Sequence, residues 1–443
     1  MRILTFERGV HPPDSKSYTN SKPIITILPK LGAELVFPMI QHTGAPCEVI
    51  VSKGESVLAG QKIGEATAFL STPIYSSVSG VVKDIKKVTT MSGSECMTVI
   101  IENDAEMKEC PSLGKPYDYL NMSKEEIIEV IKEAGIIGAG GAGFPTHIKL
   151  NPPPDKKIDY IIINAAECEP YLTSDHRVML EETERIILGF QVMLSLHKNA
   201  KGIIGVETNK QDAIDALVNY CKANNVQNIE IVGLVPKYPQ GSEKQLIFAC
   251  TGRTVPSGKI PPDVGVIVNN VETVIAIHRA IFRGRPLMRR VVTTVGGALN
   301  EVGNFKVRLG MTYRDLIDAI GGFKSEPYKL ISGGPMMGMA IHTLDFPIIK
   351  TTSSILCLTR EEAELPPERN CIRCGKCISH CPAGVMPQEL NQYVLADQLD
   401  LFEKHHGLDC IECGSCSYIC PAKRHLAQSI RTARRLVMAS KKR

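Results

Sequence analysis

The hydrophobic and polar positions between residues 123 and 282 switch repeatedly between a helical period and short apolar runs typical of buried strands. Ser123 and Glu126 form a capping-box pattern, which marks the start of a helix. The predicted elements are a helix from Ser123 with an apolar face of Ile127, Ile128, Val130, Ile131 and Ala134, strand Ile158–Asn164, helix Ser174–His197, strand Gly202–Val206, helix Gln211–Ala223, strand Ile229–Val235, helix Glu243–Cys250, strand Val264–Asn269 and helix Val271–Phe282. This alternation predicts a mostly parallel sheet covered by helices, with ligands bound at the carboxyl ends of the strands.

A β-rich segment precedes this region. Short strand-like runs broken by glycines, at residues 47–64 and 79–85, resemble the barrel-sandwich hybrid fold of biotinyl and lipoyl carrier domains. A carrier domain attaches its prosthetic group to a lysine at the tip of the hairpin between the two halves. No lysine lies between Lys62 and Lys83, so we expect a scaffold and not a carrier.

Two smaller units follow the α/β region. Residues 291–322 predict a strand, a glycine turn, a second strand and a short helix ending in Gly321-Gly322, which resembles a soluble-ligand-binding β-grasp module. A packing role for this module is at least as well supported as a ligand role. After a linker at Arg360–Asn370, the pattern over Gln388–Lys404 predicts a helix, although Asp397 interrupts its apolar stripe.

The length of 443 residues exceeds one typical core. The fold class predicted is a multidomain α/β protein whose parts are residues 1–28, an N-terminal segment; 29–105, a barrel-sandwich hybrid; 106–285, a Rossmann-like α/β domain; 286–350, a β-grasp module; and 360–443, a helical ferredoxin-like domain.

Composition places the chain among ordinary folded proteins, since 43% of its residues are hydrophobic and 22% are charged. The sequence contains no run of about 18–20 apolar residues, which is the length that a membrane-spanning helix needs. The first eight residues lack the apolar core of a signal peptide, which predicts residence in the cytoplasm.

The net charge of +4 is unevenly distributed. Residues 423–443 carry eight Lys or Arg and no acid, so the remainder of the chain is negative, at −4. This basic tail also contains Leu426, Ile430, Ala433 and Leu436. It could dock against acidic lipid or an acidic partner, or it could be a solvated helix end.

Eight of the fifteen cysteines form two blocks near the C-terminus, each spaced C-x2-C-x2-C-x3-C-P. That spacing is typical of bacterial two-cluster ferredoxins, in which the fourth cysteine of each block binds the other block's cluster. It predicts two 4Fe-4S clusters, one held by Cys371, Cys374, Cys377 and Cys420, and the other by Cys410, Cys413, Cys416 and Cys381. Eight cysteines could also supply two zinc sites, but zinc motifs rarely contain three cysteines that are each separated by two residues and followed by a Cys-Pro pair.

A glycine-rich loop occupies residues 138–146, with the sequence Gly-Ala-Gly-Gly-Ala-Gly-Phe-Pro-Thr. Glycines let the backbone approach an anion closely and direct successive N–H groups at it, which suits a phosphate or pyrophosphate. Polar segments at residues 164–170 and 269–273 follow two predicted strands, where a parallel sheet binds its ligand. The three segments could therefore converge on one site.

Together these segments resemble the flavin-binding, NADH-oxidising subunit of respiratory complex I over roughly residues 135–275. With the start of the chain (residues 9–13), the barrel, the β-grasp unit and the paired cysteine blocks, the whole chain resembles the RnfC subunit of the Rnf electron-transport complex. The resemblance implies FMN and NAD(H) in the α/β domain. It implies cofactor-binding roles for Gly138, Gly140, Gly141, Gly143, Lys149, Asn164, Glu167, Asn269, Asn270 and Thr273, and catalytic roles near the dinucleotide for Glu169 and Glu207.

Two positions depart from the complex I pattern. Ala139 stands where that family has arginine, which removes a charged contact near the ligand, and Ala166 replaces an aspartate. Without the resemblance, Glu167 and Glu169 could also be loop acids that face solvent, Glu207 could be a surface charge at a strand end, and the Asn269-Asn270 pair could close a turn.

The resemblance also implies an activity and a set of partners. We expect a peripheral subunit of an ion-translocating ferredoxin:NAD+ oxidoreductase on the cytoplasmic side of the inner membrane. Hydride would pass between NAD(H) and FMN, and single electrons would pass through the clusters. Partners would be the other Rnf subunits, including an iron-sulfur subunit and membrane-integral subunits, with ferredoxin acting indirectly and no nucleic acid. The alternatives are a cobalamin-reductase-like enzyme of propanediol metabolism and a flavin-free electron-wiring subunit.

Overall fold

The computed structural model describes residues 2–441, and nine strands lie in the part of the chain up to Asn103. These are β1 (Ile3–Leu4), β2 (Ile24–Thr26), β3 (Glu34–Pro38), β4 (Glu48–Val49), β5 (Ser56–Val57), β6 (Lys62–Glu65), β7 (Ile74–Tyr75), β8 (Gly80–Thr89) and β9 (Glu95–Asn103). Seven of them form the barrel as two sheets, in the orders β3-β9-β8-β5 and β4-β6-β7. Leu35, Phe37, Ile63 and Ile101 point inward and are fully buried, because alternate residues of a strand face the same side.

The central region is the predicted helix-covered parallel sheet. Its elements are α1 (Lys124–Glu133), α2 (Thr146–Leu150), β10 (Tyr160–Ala165), α3 (Ser174–Glu181), α4 (Thr183–Ser195), β11 (Lys201–Glu207), α5 (Gln211–Ala223), β12 (Ile229–Leu234), α6 (Glu243–Thr251), β13 (Val266–Asn270) and α7 (Val271–Arg283). The strands are parallel in the order β1-β12-β11-β10-β13. The predicted capping box of α1 is present at Ser123 and Glu126, and we call this region the α/β unit.

One predicted helix of the α/β unit is wrong in its extent. Residues Ser174–His197 form two helices, which are separated at Glu182. The Thr183 hydroxyl donates to the Met179 carbonyl at 2.5 Å, where a continuous helix would use a backbone amide. Glu182 meanwhile turns inward to pair with Arg279 and Lys306. These tertiary contacts outweigh the continuous helical period.

The β-grasp-like region has six elements, which are β14 (Arg289–Val295), β15 (Gly303–Arg308), α8 (Tyr313–Ala319), β16 (Lys329–Ser332), β17 (Met339–Ile341) and β18 (Ser354–Leu358). Its sheet has the order β17-β16-β18-β14-β15-β2. Its apolar interior is continuous with that of the barrel, since Phe37 packs in the same cluster as Val292 and Phe305. The two regions therefore support each other.

The C-terminal region, which we call the cysteine domain, contains five helices of four to nine residues and a final helix of 15 residues. They are α9 (Arg360–Ala363), α10 (Lys376–Ser379), α11 (Pro387–Leu395), α12 (Leu399–Lys404), α13 (Ser415–Ile419) and α14 (Leu426–Ser440). The single helix predicted over Gln388–Lys404 is wrong. The chain leaves the helical conformation after Leu395, and Asp397 adopts the left-handed region with φ 54°.

The basic tail forms α14, and its apolar stripe is part of the cysteine domain's own core. Leu426, Ile430 and Ala433 are buried, whereas Leu436 is exposed. Four of the tail's cations form ion pairs, Arg424 with Glu368, Arg431 and Arg434 with Glu412, and Lys441 with Glu403. Most of the stripe is therefore not available to lipid, and residues 442–443 of the predicted tail lie outside the described residues.

The N-terminal segment connects two separate sheets. Its β1 pairs with β12 in the α/β unit, and β2 pairs with β15 in the β-grasp-like sheet. Between them Lys16 is buried, and its Nζ donates to the carbonyls of Glu167, Glu169 and Leu172 at 2.6–3.0 Å. Within residues 2–441, no helix is long and apolar enough to cross a bilayer.

Candidate functional site

The glycine loop connects α1 to α2 at the carboxyl edge of the parallel sheet. The Thr273 hydroxyl accepts the Ala139 N–H at 2.9 Å and donates to the Ile137 carbonyl at 3.1 Å. From the barrel, Thr43 binds the carbonyls of Ala142 and Gly143. The loop is thus held by α7 on one side and by the barrel on the other.

The middle of this loop is open. Gly140 and Gly141 are exposed, and a Cβ atom at Gly141 would meet no heavy atom within 4 Å. At Gly140, by contrast, a Cβ atom would lie only 3.0 Å from the Asn270 side-chain amide. Backbone amides are therefore accessible here, directly beside a polar strand end, as a bound anion requires.

Asn269 and Asn270 end β13 in different environments. The Asn270 side chain accepts the Glu272 N–H, which caps α7, and donates to Asp175 at 2.6 Å. Asn269 is buried, and neither its amide nitrogen nor its carbonyl oxygen has a hydrogen-bond partner among the described residues. A buried amide without partners costs free energy unless a ligand satisfies it. Asn269 therefore offers one unsatisfied donor and one unsatisfied acceptor at the end of β13.

Lys149 and Asn164 line the same edge of the sheet. Lys149 Nζ lies 3.0 Å from a Glu243 carboxylate oxygen and 3.2 Å from the Val268 carbonyl. The Asn164 side chain donates to the Gly241 carbonyl at 2.7 Å. The structure therefore brings together Asn164, Lys149, Asn269, Asn270, Thr273 and the glycine loop, all of which the sequence predicted.

Glu167 is placed differently from a ligand-facing acid. One carboxylate oxygen accepts the Asp175 N–H at 2.7 Å and the other accepts the His176 N–H at 3.2 Å. The side chain therefore caps the N-terminus of α3, where a negative charge is favourable. Its contribution to the site is to fix the loop that follows β10.

Glu169 lies at a junction of three regions. Its carboxylate accepts the backbone N–H groups of Met336 and Met337 at 3.1 and 3.0 Å, and the Tyr238 hydroxyl oxygen lies 3.4 Å from it. Burial raises the pKa of Glu169 to about 7, although the two amides and Lys16 oppose that rise. This carboxyl group can therefore change protonation state near neutral pH.

Glu207 forms a buried ion pair with Lys210 at 3.1 Å, and both side chains are almost fully shielded. Burial raises the pKa of Glu207, against the influence of Lys210 and Lys16. Lys210 Nζ also donates to the Ala166 carbonyl at 2.7 Å. In this arrangement Glu207 holds a lysine that fixes the loop after β10.

Three residues that support the site carried no sequence signal. Arg290, from β14, is buried and donates to the Ala139 carbonyl at 3.4 Å. Lys16 and Tyr238 contact the site from the N-terminal segment and from the loop after β12. Each comes from a distant part of the chain, so only the folded structure places it there.

The cysteines separate into an inner and an outer set. The inner set, Cys381, Cys410, Cys413 and Cys416, lines a cavity together with apolar residues that include Val385, Ile411 and Ile430. Three of its members are buried. Burial raises the pKa of Cys410 to about 11, and the neighbouring Cys413 and Cys381 add to that rise. One cysteine of the first block thus joins three of the second.

The outer set contains Cys371, Cys374, Cys377 and Cys420. Burial raises the pKa of Cys377, and the adjacent Cys420 thiol contributes to the rise, so these two residues of different blocks are neighbours. Cys371 and Cys374 are exposed. Within residues 2–441, no three His, Cys, Asp or Glu side chains are close enough to share one metal ion. A cubane places each thiolate on a different iron atom, so its ligands stand farther apart.

The inner set adjoins the α/β unit through Tyr238. This fully buried side chain donates its hydroxyl to the Cys413 carbonyl at 2.7 Å, and it packs with Val10 and Cys413. Gln245 of α6 also donates to the Pro382 carbonyl at 3.0 Å. The inner cysteines therefore contact the α/β unit on the side where Glu169 lies.

Four family models match successive parts of the chain. They are the RnfC barrel sandwich hybrid domain at residues 4–106, the Nuo51 FMN-binding domain at residues 131–279, the SLBB domain at residues 292–340 and the 4Fe-4S dicluster domain at residues 370–425. The parts of the chain that carry the glycine loop and the two cysteine sets thus match an FMN-binding and a dicluster family.

Two curated relatives match nearly the whole chain. The C subunit of the Na(+)-translocating ferredoxin:NAD(+) oxidoreductase complex of Acetobacterium woodii is 46% identical over 99% of this chain and 98% of its own length. The C subunit of the proton-translocating ferredoxin:NAD(+) oxidoreductase complex of Clostridium ljungdahlii is 47% identical over 97% of this chain and 93% of its own length. Among solved structures, an NAD+-reducing [NiFe]-hydrogenase in the H2-reduced state matches 73% of this chain and 63% of its own, with 18% identity and a TM-score of 0.49.

Proposed function

The chain belongs to the RnfC family, the C subunits of ion-translocating ferredoxin:NAD(+) oxidoreductase complexes, and from that premise we propose how its own residues serve this reaction. It is an NAD-linked flavin and iron-sulfur oxidoreductase subunit. The α/β unit would hold FMN for hydride exchange with NAD(H), and the two cysteine sets would hold the 4Fe-4S clusters that pass single electrons to or from partner subunits. The cobalamin-reductase alternative is not favoured, because the matching relatives are subunits of ion-translocating complexes.

The residues around the glycine loop fit FMN. The exposed amides of residues 140–141 would bind its phosphate, and the unpartnered amide of Asn269 would bind its ring. Thr273 and Arg290 hold the loop in place from behind. The chemistry that bound FMN supplies is the conversion of a two-electron hydride into single electrons. If the chain carried electrons without a flavin, the accessible amides of residues 140–141 and the buried Asn269 amide would have no binding partner to satisfy them.

Glu169 is the acid that the geometry favours for proton exchange. Its carboxyl oxygens lie between the Tyr238 hydroxyl and the amides of Met336 and Met337. Because its pKa is raised to about 7, it can hold a proton at neutral pH and release it when a positive charge approaches. Glu207, which is paired with Lys210, supports the loop and does not need to touch the dinucleotide.

The two cysteine sets would hold two clusters at different depths. The inner set fits a cubane because its four thiols surround an apolar cavity, and the outer set has the same cross-block composition at the surface. The single observation that carries the proposed route is Tyr238, which contacts both Glu169 and the backbone of Cys413. Electrons would enter or leave the α/β unit at the inner cluster and reach partners through the outer one.

The partners follow from the family. We propose that the chain is a peripheral subunit on the cytoplasmic side of the membrane and works with an iron-sulfur subunit and membrane-integral subunits. These other subunits would move the ions, and ferredoxin would act through them.

An anaerobic titration of the reconstituted chain with NADH tests this function. Bleaching of the flavin absorbance and reduction of the clusters are followed separately, by optical and electron paramagnetic resonance spectra. We expect flavin and clusters to be reduced together at equilibrium, with flavin reduction coming first in rapid mixing. Cluster reduction in protein that has lost its flavin would contradict the proposed order, as would the absence of released flavin fluorescence at full iron content.

A further inference from the structure

The outer cysteine set lies in a surface patch that is basic throughout its two segments. Neither residues 369–388 nor residues 413–425 contain an Asp or Glu. We define the basic patch by the five cations in these segments, Arg369, Arg373, Lys376, Lys423 and Arg424. Among the described residues only Arg424 forms an ion pair, with Glu368, so the charge of the other four is uncompensated.

Two contacts bring the segments of the basic patch together. The Arg369 N–H donates to the Ala422 carbonyl at 2.9 Å, and Arg424 lies 3.1 Å from Glu368. The helices α10 and α13, which carry Cys377 and precede Cys420, also pack against each other. The cations of both segments therefore surround one set of cysteines, and their fields add.

An apolar side chain lies within this charged surface. Ile372 stands between Cys371 and Arg373, and 67% of its surface is exposed. Beside the uncompensated charge of Arg373, this side chain offers an apolar contact within an otherwise polar surface. The buried inner set offers no comparable surface, so a partner can approach a cluster closely only here.

We propose that the basic patch docks an acidic face of a one-electron redox protein directly over the outer cluster. The inference rests on the proposed function, since it requires a cluster at Cys371, Cys374, Cys377 and Cys420. Each encounter transfers one electron between the partner's centre and this cluster, so that one is oxidised as the other is reduced. The transfer makes or breaks no covalent bond and moves no proton.

A protein is favoured over an anionic membrane because the charge is centred on a redox group. Electron transfer needs close approach, and opposite charges both bring the partner to the outer cluster and orient it. Binding to a lipid surface does not require the positive charge to lie close to a redox cluster. Most of the apolar stripe of α14, which an interfacial helix would insert, is already buried in the cysteine domain.

The test uses full-length protein loaded with flavin and clusters, and an acidic two-cluster bacterial ferredoxin as a soluble probe that stands in for the acidic redox partner. In one variant Arg373 and Lys376 are replaced by Glu, and in a second Arg369 and Lys423 are replaced by Glu, outside the cysteine spacing. A control with the same change of charge replaces Lys198 and Lys222, which are exposed on the α/β unit, by Glu. Binding of the probe and its rate of electron transfer are measured from low to high salt.

We expect both patch variants to weaken binding and slow electron transfer at least tenfold at low salt, and to lose the salt dependence of the wild-type protein. The control should match the wild type. Equal binding and equal rates in all proteins would overturn the proposal. The proposal would also be overturned if the patch variants lost binding to vesicles that contain phosphatidylglycerol but still bound ferredoxin as the wild type does.

Failure of the proposed function would look different. Wild-type protein that carries iron but is not reduced by NADH would refute the dehydrogenase, while salt-dependent binding of the probe could still be measured. Iron content and NADH-dependent bleaching of each variant separate damage to the cofactors from loss of docking.

Discussion

Glu182 is buried where α3 meets α4, and three cations surround its carboxylate. Arg185, Arg279 and Lys306 lie 2.9–3.1 Å from its oxygens. Burial alone would raise the pKa of Glu182, but these cations lower it from 4.5 to about 2. The difference corresponds to about 3 kcal/mol of stability at neutral pH.

We expect Glu182→Gln to lower the thermal midpoint at pH 7 by on the order of 5 °C or more, because it leaves buried cations without a partner. The folded pKa is the lower one, so the contribution is complete above about pH 5 and is lost as the pH falls from 4.5 towards 2. Midpoints of variant and wild type should therefore converge on acidification. The exposed neighbour Glu184→Gln is the control, and a gap that is as large at pH 2–3 as at pH 7 would contradict the ion-pair account.

Asn269 offers a residue-scale test of the FMN site. Replacement by Leu removes an amide that is buried without partners, so the flavin-free protein should be as stable as the wild type or more so. FMN affinity should fall at least tenfold, as measured by titration of flavin-free protein. The matched control is Asn304→Leu, because the Asn304 amide is fully bonded to Thr19 and Thr173 and its loss should lower the thermal midpoint. A large loss of stability in the Asn269 variant would mean that the amide has a structural role.

Elements of this protein are held in place by single side chains that reach between them. Lys350 shows this most clearly, since its buried Nζ donates to the carbonyls of Pro73 in the barrel and Gly135 after α1, both at 2.7 Å. Thr273 on α7 does the same for the glycine loop. The position of an element at the site is thus decided by a few long-range hydrogen bonds.

Thr273→Val should loosen the glycine loop without unfolding α7. The change leaves the Ala139 N–H and the Ile137 carbonyl unsatisfied, at a cost of about 1–3 kcal/mol, and this corresponds to a loss of roughly tenfold or more in FMN affinity. The far-ultraviolet circular dichroism should not change. Thr432→Val, on the exposed side of α14, serves as the control. Unaltered FMN affinity would show that the loop does not depend on this hydroxyl.

On the scale of the whole molecule, the chain is joined by contacts between its ends and its middle. The first strand completes the parallel sheet, and the cysteine domain is attached to that sheet through Tyr238 and Gln245. The last helix contributes Ile430, Ala433 and Val437 to the core of the cysteine domain. Truncation after Ala422 would therefore remove part of this core and could not test docking of the tail alone.

Cross-block ligation predicts which cysteine variants share a phenotype. Cys381→Ser should remove the same cluster as Cys413→Ser, and Cys420→Ser the same cluster as Cys377→Ser. In each case iron should fall from about eight to about four atoms per chain, and one of two paramagnetic resonance signals should be lost. If Cys381→Ser instead matched Cys377→Ser, each cluster would draw its ligands from a single block.

The sequence was enough to predict the cross-block grouping of the cysteines, the position of the glycine loop, the helix start at Ser123 and the parallel sheet. Each depends on residues close together in the chain, where spacing and period directly reflect geometry. Folding decided the rest. Glu167 caps a helix, Glu207 pairs with Lys210, and Arg290 reaches the glycine loop from another sheet. These roles arise from contacts between distant segments, and burial, not local period, selects the partner of each charge.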